Sequence, residues 1–294
     1  MRALASPASL KGVLSARDAA AALAEGLRRA GAEVEELPVA DGGEGTLDVL
    51  HGTLPPGVGA VESASVIGLG LVPEEDRDVL RASSRPLGER IKEVLAAGPS
   101  ELIVFLGGTA TVDGGAGLLE VLDELSVPTR AACDVRAVLL DAVWVFAEQK
   151  GATREQLPEL ERRLLENQAL RPYRDLPGGG AAGGLGAALA SLGAELVEGA
   201  PLVLDLIGFR ERVRGVDLVV TGEGTVDRST WMGKAPDAVL RACQEAGVRC
   251  AVFGGRVLEQ PADAEIYELS GDLARAREDL VELGETLSAS ARTA

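Results

Sequence analysis

Hydrophobic positions along the chain fall into two kinds of pattern. Short apolar runs occur at Arg2–Ala5, Val34–Leu37, Leu102–Leu106, Thr129–Val135, Val216–Val220 and Arg249–Phe253. The run Leu102-Ile103-Val104-Phe105-Leu106 shows no polar alternation, as expected of a strand buried on both faces of a parallel sheet. Between the runs, apolar residues recur at helical spacing. Ala19, Ala22, Leu23, Gly26, Leu27 and Ala30 form one stripe, with Ser15 placed to cap it, Asp18 at the third helical position and Gly31 closing it. Leu87, Ile91, Val94 and Leu95 form another, and Leu118 to Leu125, Glu155 to Gln168, Ala187 to Leu192, Pro236 to Ala246 and Leu273 to Leu287 follow. Strands alternating with helices predict an α/β fold of parallel strands joined by right-handed crossovers.

Polar residues gather where the strands end. Leu106 leads into Gly107-Gly108-Thr109-Ala110-Thr111-Val112-Asp113-Gly114-Gly115, a stretch in which backbone N–H groups could cradle an anion. A tight turn with hydroxyl caps is the plainer reading of the same residues. Leu37 leads into Pro38 to Thr46 (PVADGGEGT), with Asp41 and Glu44 among glycines, and Val220 into Thr221-Gly222-Glu223-Gly224-Thr225-Val226-Asp227. The C-terminal ends of parallel strands share one edge, so these three loops are expected to converge on a ligand site.

The lysines strengthen that expectation. The chain has four against 25 arginines, and three of them, Lys11, Lys150 and Lys234, adjoin a glycine in a predicted loop, where a compact ammonium suits phosphate. Gly233-Lys234 is not the end of a P-loop, because Arg228 stands where that motif needs glycine. The tract Pro177 to Ala187 holds Gly178, Gly180 and Gly183 at G-x-G-x-x-G spacing. No strand precedes it, so it reads as a loop opening a helix rather than a dinucleotide fingerprint.

Composition narrows the chemistry. The 294 residues suffice for two domains, and 46% apolar content supplies a sizeable core. A formal charge of −17 and 3% aromatics argue against a nucleic-acid partner, which needs a basic face or stacking platforms. Three cysteines (Cys133, Cys243, Cys250) without C-x-x-C spacing, no signal-peptide pattern and no apolar run of membrane-spanning length predict a reduced, cytoplasmic protein without a membrane partner. His51, beside a Gly/Pro-rich loop, is the only histidine, which argues against chemistry on a Ser-His pair or a multi-histidine metal site. Carboxylates, lysines and a metal remain.

Seven motifs now line up in order: LKGVLSA (Leu10 to Ala16), VADGGEGT (Val39 to Thr46), LGGTATVDGGAG (Leu106 to Gly117), ACDV (Ala132 to Val135), VFAEQKGAT (Val145 to Thr153), PGGGAAGGLGA (Pro177 to Ala187) and TGEGTVDRSTWMGKAP (Thr221 to Pro236). The chain thereby resembles the bacterial two-domain glycerate kinases, a family unrelated to P-loop kinases. The resemblance implies ATP- and Mg²⁺-dependent phosphorylation of D-glycerate, slightly favouring the 2-position. It also implies a Rossmann-like, doubly wound, mostly parallel domain carrying a second, smaller inserted α/β domain. The corresponding division is 1–55, 86–118 and 206–294 for the first domain, and 56–85 and 119–205 for the second.

On this footing Gly107, Gly108, Thr109, Thr111, Gly114 and Gly115 are expected at the nucleotide phosphates, and Lys11 at the transferring group. Asp41 and Glu44 are the expected Mg²⁺ carboxylates. Asp113 or Asp134 is expected to accept the glycerate hydroxyl proton, and Glu223, Asp227 and Lys234 to close the site from the C-terminal half. The chain departs from the family pattern at Ala8, where Asp is usual, at Val112, where Asn is usual, after Val135, where Asn-Pro-Leu is missing, and between Gly52 and Val61, where a hairpin is trimmed. Two other classes stay open on the residues alone, a Rossmann-type nicotinamide oxidoreductase and a non-catalytic phosphosugar-binding protein. Oligomeric state is not legible.

Overall fold

The structure, a computed structural model, describes residues 1–261 and 264–290. Its strands are β1 (Arg2–Ala5), β2 (Glu33–Glu36), β3 (Val58–Glu62), β4 (Glu101–Phe105), β5 (Thr129–Cys133), β6 (Glu195–Glu198), β7 (Leu218–Val226), β8 (Arg249–Val257) and β9 (Glu265–Glu268). They form two sheets, ordered β2-β1-β7-β8-β9 and β3-β4-β5-β6, with every strand pair parallel. The mixed α/β, parallel fold class expected from the sequence is the one found.

The chain divides into two compact units. The first comprises Met1–Asp41, Asp48–Thr53 and the chain from Ala200 onward. On one face of its sheet, Ala3, Ala5, Leu218, Val220, Ala251 and Phe253 pack with helices Ala16–Arg29 and Ala276–Ser290. These two helices approach closely: a Cβ on Gly26 would lie 1.9 Å from the Val281 carbonyl oxygen. Ser15 caps the first of them, its hydroxyl accepting from the Asp18 N–H at 3.0 Å. Leu4, Val219 and Val252 alternate with the first set and are equally buried, so the other face is covered too, with helix Ala235–Ala246 packed on β7 and β8. Apolar residues on both faces of these central strands are why they read as continuous runs.

The second unit comprises Gly42–Leu47 and Leu54–Gly199. Leu102, Val104 and Leu106 pack there with Leu87 and Ile91 of helix Arg85–Ala96 and with Leu185 and Leu189 of helix Ala181–Ser191. A further cluster gathers Val112, Leu139, Val143, Leu160 and Leu164.

Several expectations need correction. Residues 86–118 belong to the second unit, because β4 pairs with β3 and β5 rather than with the first sheet, and the inserted unit is then not the smaller one. The loop after Leu106 and the segment after Val220 therefore leave different sheets. Thr221 to Val226 is not a loop: β7 continues through it, paired with β8 as far as Val226↔Val257. Gly222 permits this, since a Cβ there would lie 2.2 Å from the Phe253 carbonyl oxygen. The helix expected from Leu118 to Leu125 is one turn, Ala116–Leu119.

Candidate active site

In the second unit the acidic glycine loop lies across the C-terminal edge of the sheet. The Glu62 carboxylate, at the end of β3, accepts from the N–H groups of Gly45 and Leu47, both at 2.9 Å. A Cβ on Gly107 would lie 2.8 Å from Gly43 Cα, so the two glycine loops meet backbone to backbone. Glu44 flanks Gly108: a Cβ there would come within 3.6 Å of Glu44 Oε2. The loops after Leu37 and after Leu106 thus meet through a crossing segment, and not, as expected, because their strands share one sheet edge.

The Gly107–Thr111 loop is fastened on three sides. Ser63 both donates its hydroxyl to the Gly107 carbonyl and accepts the Gly107 N–H, each at 3.1 Å. Leu69 N–H donates to the Gly108 carbonyl at 2.7 Å, and Ala110 N–H to the Ile67 carbonyl at 2.9 Å. Lys150 Nζ donates to Thr109 Oγ1 at 3.1 Å and to the Thr111 carbonyl at 2.8 Å. Gly108 itself is exposed, with φ +63°, and among the described residues its N–H and that of Thr109 donate to no other group. The Gly108 N–H is thus an unclaimed donor at an exposed glycine, as an anion requires, whereas Thr109 is buried.

Other residues expected here do different work. The side chains of Thr109 and Thr111 are buried, so their hydroxyls face the interior. Gly114 and Gly115 serve packing: added Cβ atoms would strike Leu164 and Ala188 at 2.4 and 2.3 Å. The glycine tract after Pro177 is structural for the same reason, since a Cβ on Gly183 would lie 2.0 Å from the Thr111 carbonyl oxygen. Asp113 is fully engaged. Its carboxylate accepts from Ser84 N–H and Ser84 hydroxyl, both at 2.8 Å, from Gly115 N–H at 3.0 Å and from Gly117 N–H at 3.2 Å. It caps the turn Ala116–Leu119, and its lone pairs are taken. Asp134 stands half-buried just past β5; burial, and after it the Asp134 charge, pushes the Cys133 thiol up to about 11. Val112 is wholly buried in an apolar cluster, which suits valine.

The first unit carries the remaining candidates near the far ends of its central strands. Glu223, in the extension of β7, accepts the Thr230 hydroxyl at 2.6 Å, and Thr230 Oγ1 in turn accepts the Asp227 N–H at 3.0 Å. Desolvation pushes the Glu223 carboxyl above the usual range, against the Thr230 hydrogen bond and the Lys234 charge; the charges of Asp41 and Asp227 add to the upward push. Asp227 goes the other way, held below the usual range chiefly by the Ser229 hydroxyl, which donates to it at 2.6 Å. Lys234 occupies the N-cap position of helix Ala235–Ala246. Lys11 is exposed in the loop before the first helix, and a Cβ on Gly224 would sit 3.7 Å from its backbone nitrogen. Lys11, Asp41, Glu223, Asp227 and Lys234 are therefore a local group. Ser6 and Thr221, adjacent by the β1–β7 register, are wholly buried there and have unpartnered hydroxyls.

Sequence reasoning missed Glu62, Ser63, Ser84 and Thr230. Ser63 follows a strand at the position equivalent to the glycine loop after β4. That equivalence becomes visible only once β3 and β4 are paired.

The glycerate kinase family model matches residues 3–58, 51–125 and 123–279. The chain belongs to the glycerate kinase family. Among its relatives in this family, a glycerate kinase of Halalkalibacterium halodurans is 34% identical, over 85% of this chain and 84% of that one. The glycerate 2-kinase of Escherichia coli K12 is 33% identical, over 83% of this chain and 82% of that one. A crystal structure from Salmonella typhimurium LT2, provisionally assigned as glycerate kinase 2, superposes with a TM-score of 0.82 at 28% identity, covering 100% of this chain and 98% of that one. No helix among the described residues is long and apolar enough to cross a membrane.

Proposed function

We propose that the chain is an ATP- and Mg²⁺-dependent kinase that phosphorylates D-glycerate, at the 2-position, in the cytoplasm. Membership of the glycerate kinase family supports the reaction class. The observation that carries the chemistry is Glu223, a half-buried carboxylate in the extension of β7 that accepts the Thr230 hydroxyl at 2.6 Å and feels the charges of Lys234, Asp41 and Asp227. Transfer of a phosphoryl group to an alcohol requires a base for the hydroxyl proton and cations for the phosphate charge.

Glu223 takes the hydroxyl proton, with Thr230 orienting its carboxylate. This role passes from Asp113, whose oxygens are engaged, while Asp134 remains a candidate on position alone. Within the first unit Lys234 and Lys11 neutralise phosphate charge; within the second, taken by itself, the exposed Gly108 N–H is a donor for an anion. Bound with the nucleotide, Mg²⁺ would supply further charge neutralisation. Among the described residues no three His, Cys, Asp or Glu side chains are grouped to hold a metal. That fits an ion which keeps its waters and takes ligands from the nucleotide, needing one or two carboxylates. Asp41, whose charge acts on Glu223 in the same unit, is the residue there that would provide one.

A coupled assay of ADP formation with ATP, Mg²⁺ and D-glycerate tests this. Turnover that requires all three is expected; folded protein without turnover contradicts it. A fluorescence titration with nicotinamide cofactor should show no binding, and ligand binding without ADP release would favour a non-catalytic sensor.

A further inference from the structure

Lys150 is buried, 5% exposed, at the end of the short turn Glu148–Lys150, and no step above uses it. Burial pulls its pKa down to about 8, while the Asp113 charge draws it upward. A methionine would fill similar space without that desolvation, so packing alone gives no reason for an ammonium here. Its hydrogen bonds do. Both go to the glycine loop, to Thr109 Oγ1 and to the Thr111 carbonyl, on either side of Ala110.

We propose that Lys150 is a positioning residue, its ammonium clamping Thr109 and Thr111 so that the exposed, unclaimed N–H of Gly108 is held ready for an anion. This rests on reading Gly107–Thr111 as an anion loop. Ser63 and the 67–69 segment fix the start and the outer side of the loop, and Lys150 is the tie from within. Three exits from the loop's conformation are thereby closed before ligand arrives, which is how preorganisation lowers the cost of binding a transition state.

The test uses the full chain with Lys150→Met, Thr109→Val, Thr109→Ser and Gly108→Ala. Thr109→Val removes the clamp's hydroxyl with little change in shape and serves if Lys150→Met fails to fold. Kinetics with ATP and D-glycerate, thermal melting, and hydrogen–deuterium exchange of the 107–111 peptide are measured on each. Clamping predicts that Lys150→Met and Thr109→Val stay folded, lose kcat by about 10- to 100-fold and speed exchange in that peptide selectively. Thr109→Ser should restore both readouts to within about threefold of wild type. Folded variants with wild-type kcat and unchanged loop exchange overturn the proposal. If those two are normal and only Gly108→Ala is impaired, the anion loop stands and the clamp fails. If Gly108→Ala is normal while the clamp variants still loosen the loop, the clamp stands and the reading of the loop fails.

Discussion

Asp113 and Lys150 show how burial redirects residues that a sequence marks as chemical. Asp113 sits in a Gly/Thr loop, where a carboxylate suggests catalysis, yet four donors converge on it. Replacement by Ala should cost about 2–3 kcal/mol in urea unfolding, through a lost cap and unpaired N–H groups. A large fall in kcat with unchanged stability would return it to the role of base. Lys150 makes a pH prediction with a definite sign. Its pKa is about 8 in the folded chain against 10.5 when exposed, so below pH 8 both states are charged and burial of the charge is a full cost. Between pH 8 and 10.5 the unfolded state binds more protons, so stability rises with pH. The rise should approach about 3 kcal/mol as an upper limit and be absent in Lys150→Met, compared by denaturant titration at several pH values. Equal pH slopes in the two proteins would contradict the buried-ammonium account.

Among the elements, helix Ala181–Ser191 begins with Ala182, Gly183 and Gly184 all in the left-handed region, at φ +53°, +79° and +95°. Ala182 is the one non-glycine residue with positive φ among the described residues. Ala182→Gly should therefore raise stability by about 1 kcal/mol, read as an increase in melting temperature. Gly183→Ala, facing the Thr111 carbonyl, should prevent native packing of the loop. Strand content was legible where apolar runs are continuous, as in β4, β7 and β8. It was not legible in β6 (Glu-Leu-Val-Glu) or β9 (Glu-Ile-Tyr-Glu), short edge strands that each pair with a single neighbour and carry charged ends. The extension of β7 was hidden by its glycines, which read as loop but allow β8 to approach.

For the whole molecule, the pattern along the chain conveyed alternating strands and helices but not which strands share a sheet. β4 looked like a partner of β2 and β7 because its loop resembles theirs, and only its pairing with β3 and β5 assigns it to the inserted unit. The chain crosses between units at Asp41–Gly42, inside one acidic motif, a division that residue types alone do not announce. The candidates Asp41, Glu223, Asp227 and Lys234, which the structure groups in one unit, stand out in the sequence as carboxylates and a rare lysine among glycines near strand ends. If Glu223 is the base, Glu223→Gln should lower kcat by about 10²- to 10⁴-fold with little change in melting. Retention of more than half the activity would remove it from that role.

Phosphoryl transfer to glycerate can be followed atom by atom by ³¹P NMR of the reaction mixture. With ATP, Mg²⁺ and D-glycerate, the γ-phosphate signal should be lost and a phosphomonoester matching 2-phosphoglycerate should gain equally. Release of inorganic phosphate alone, or an unchanged ATP spectrum with folded protein, would contradict it.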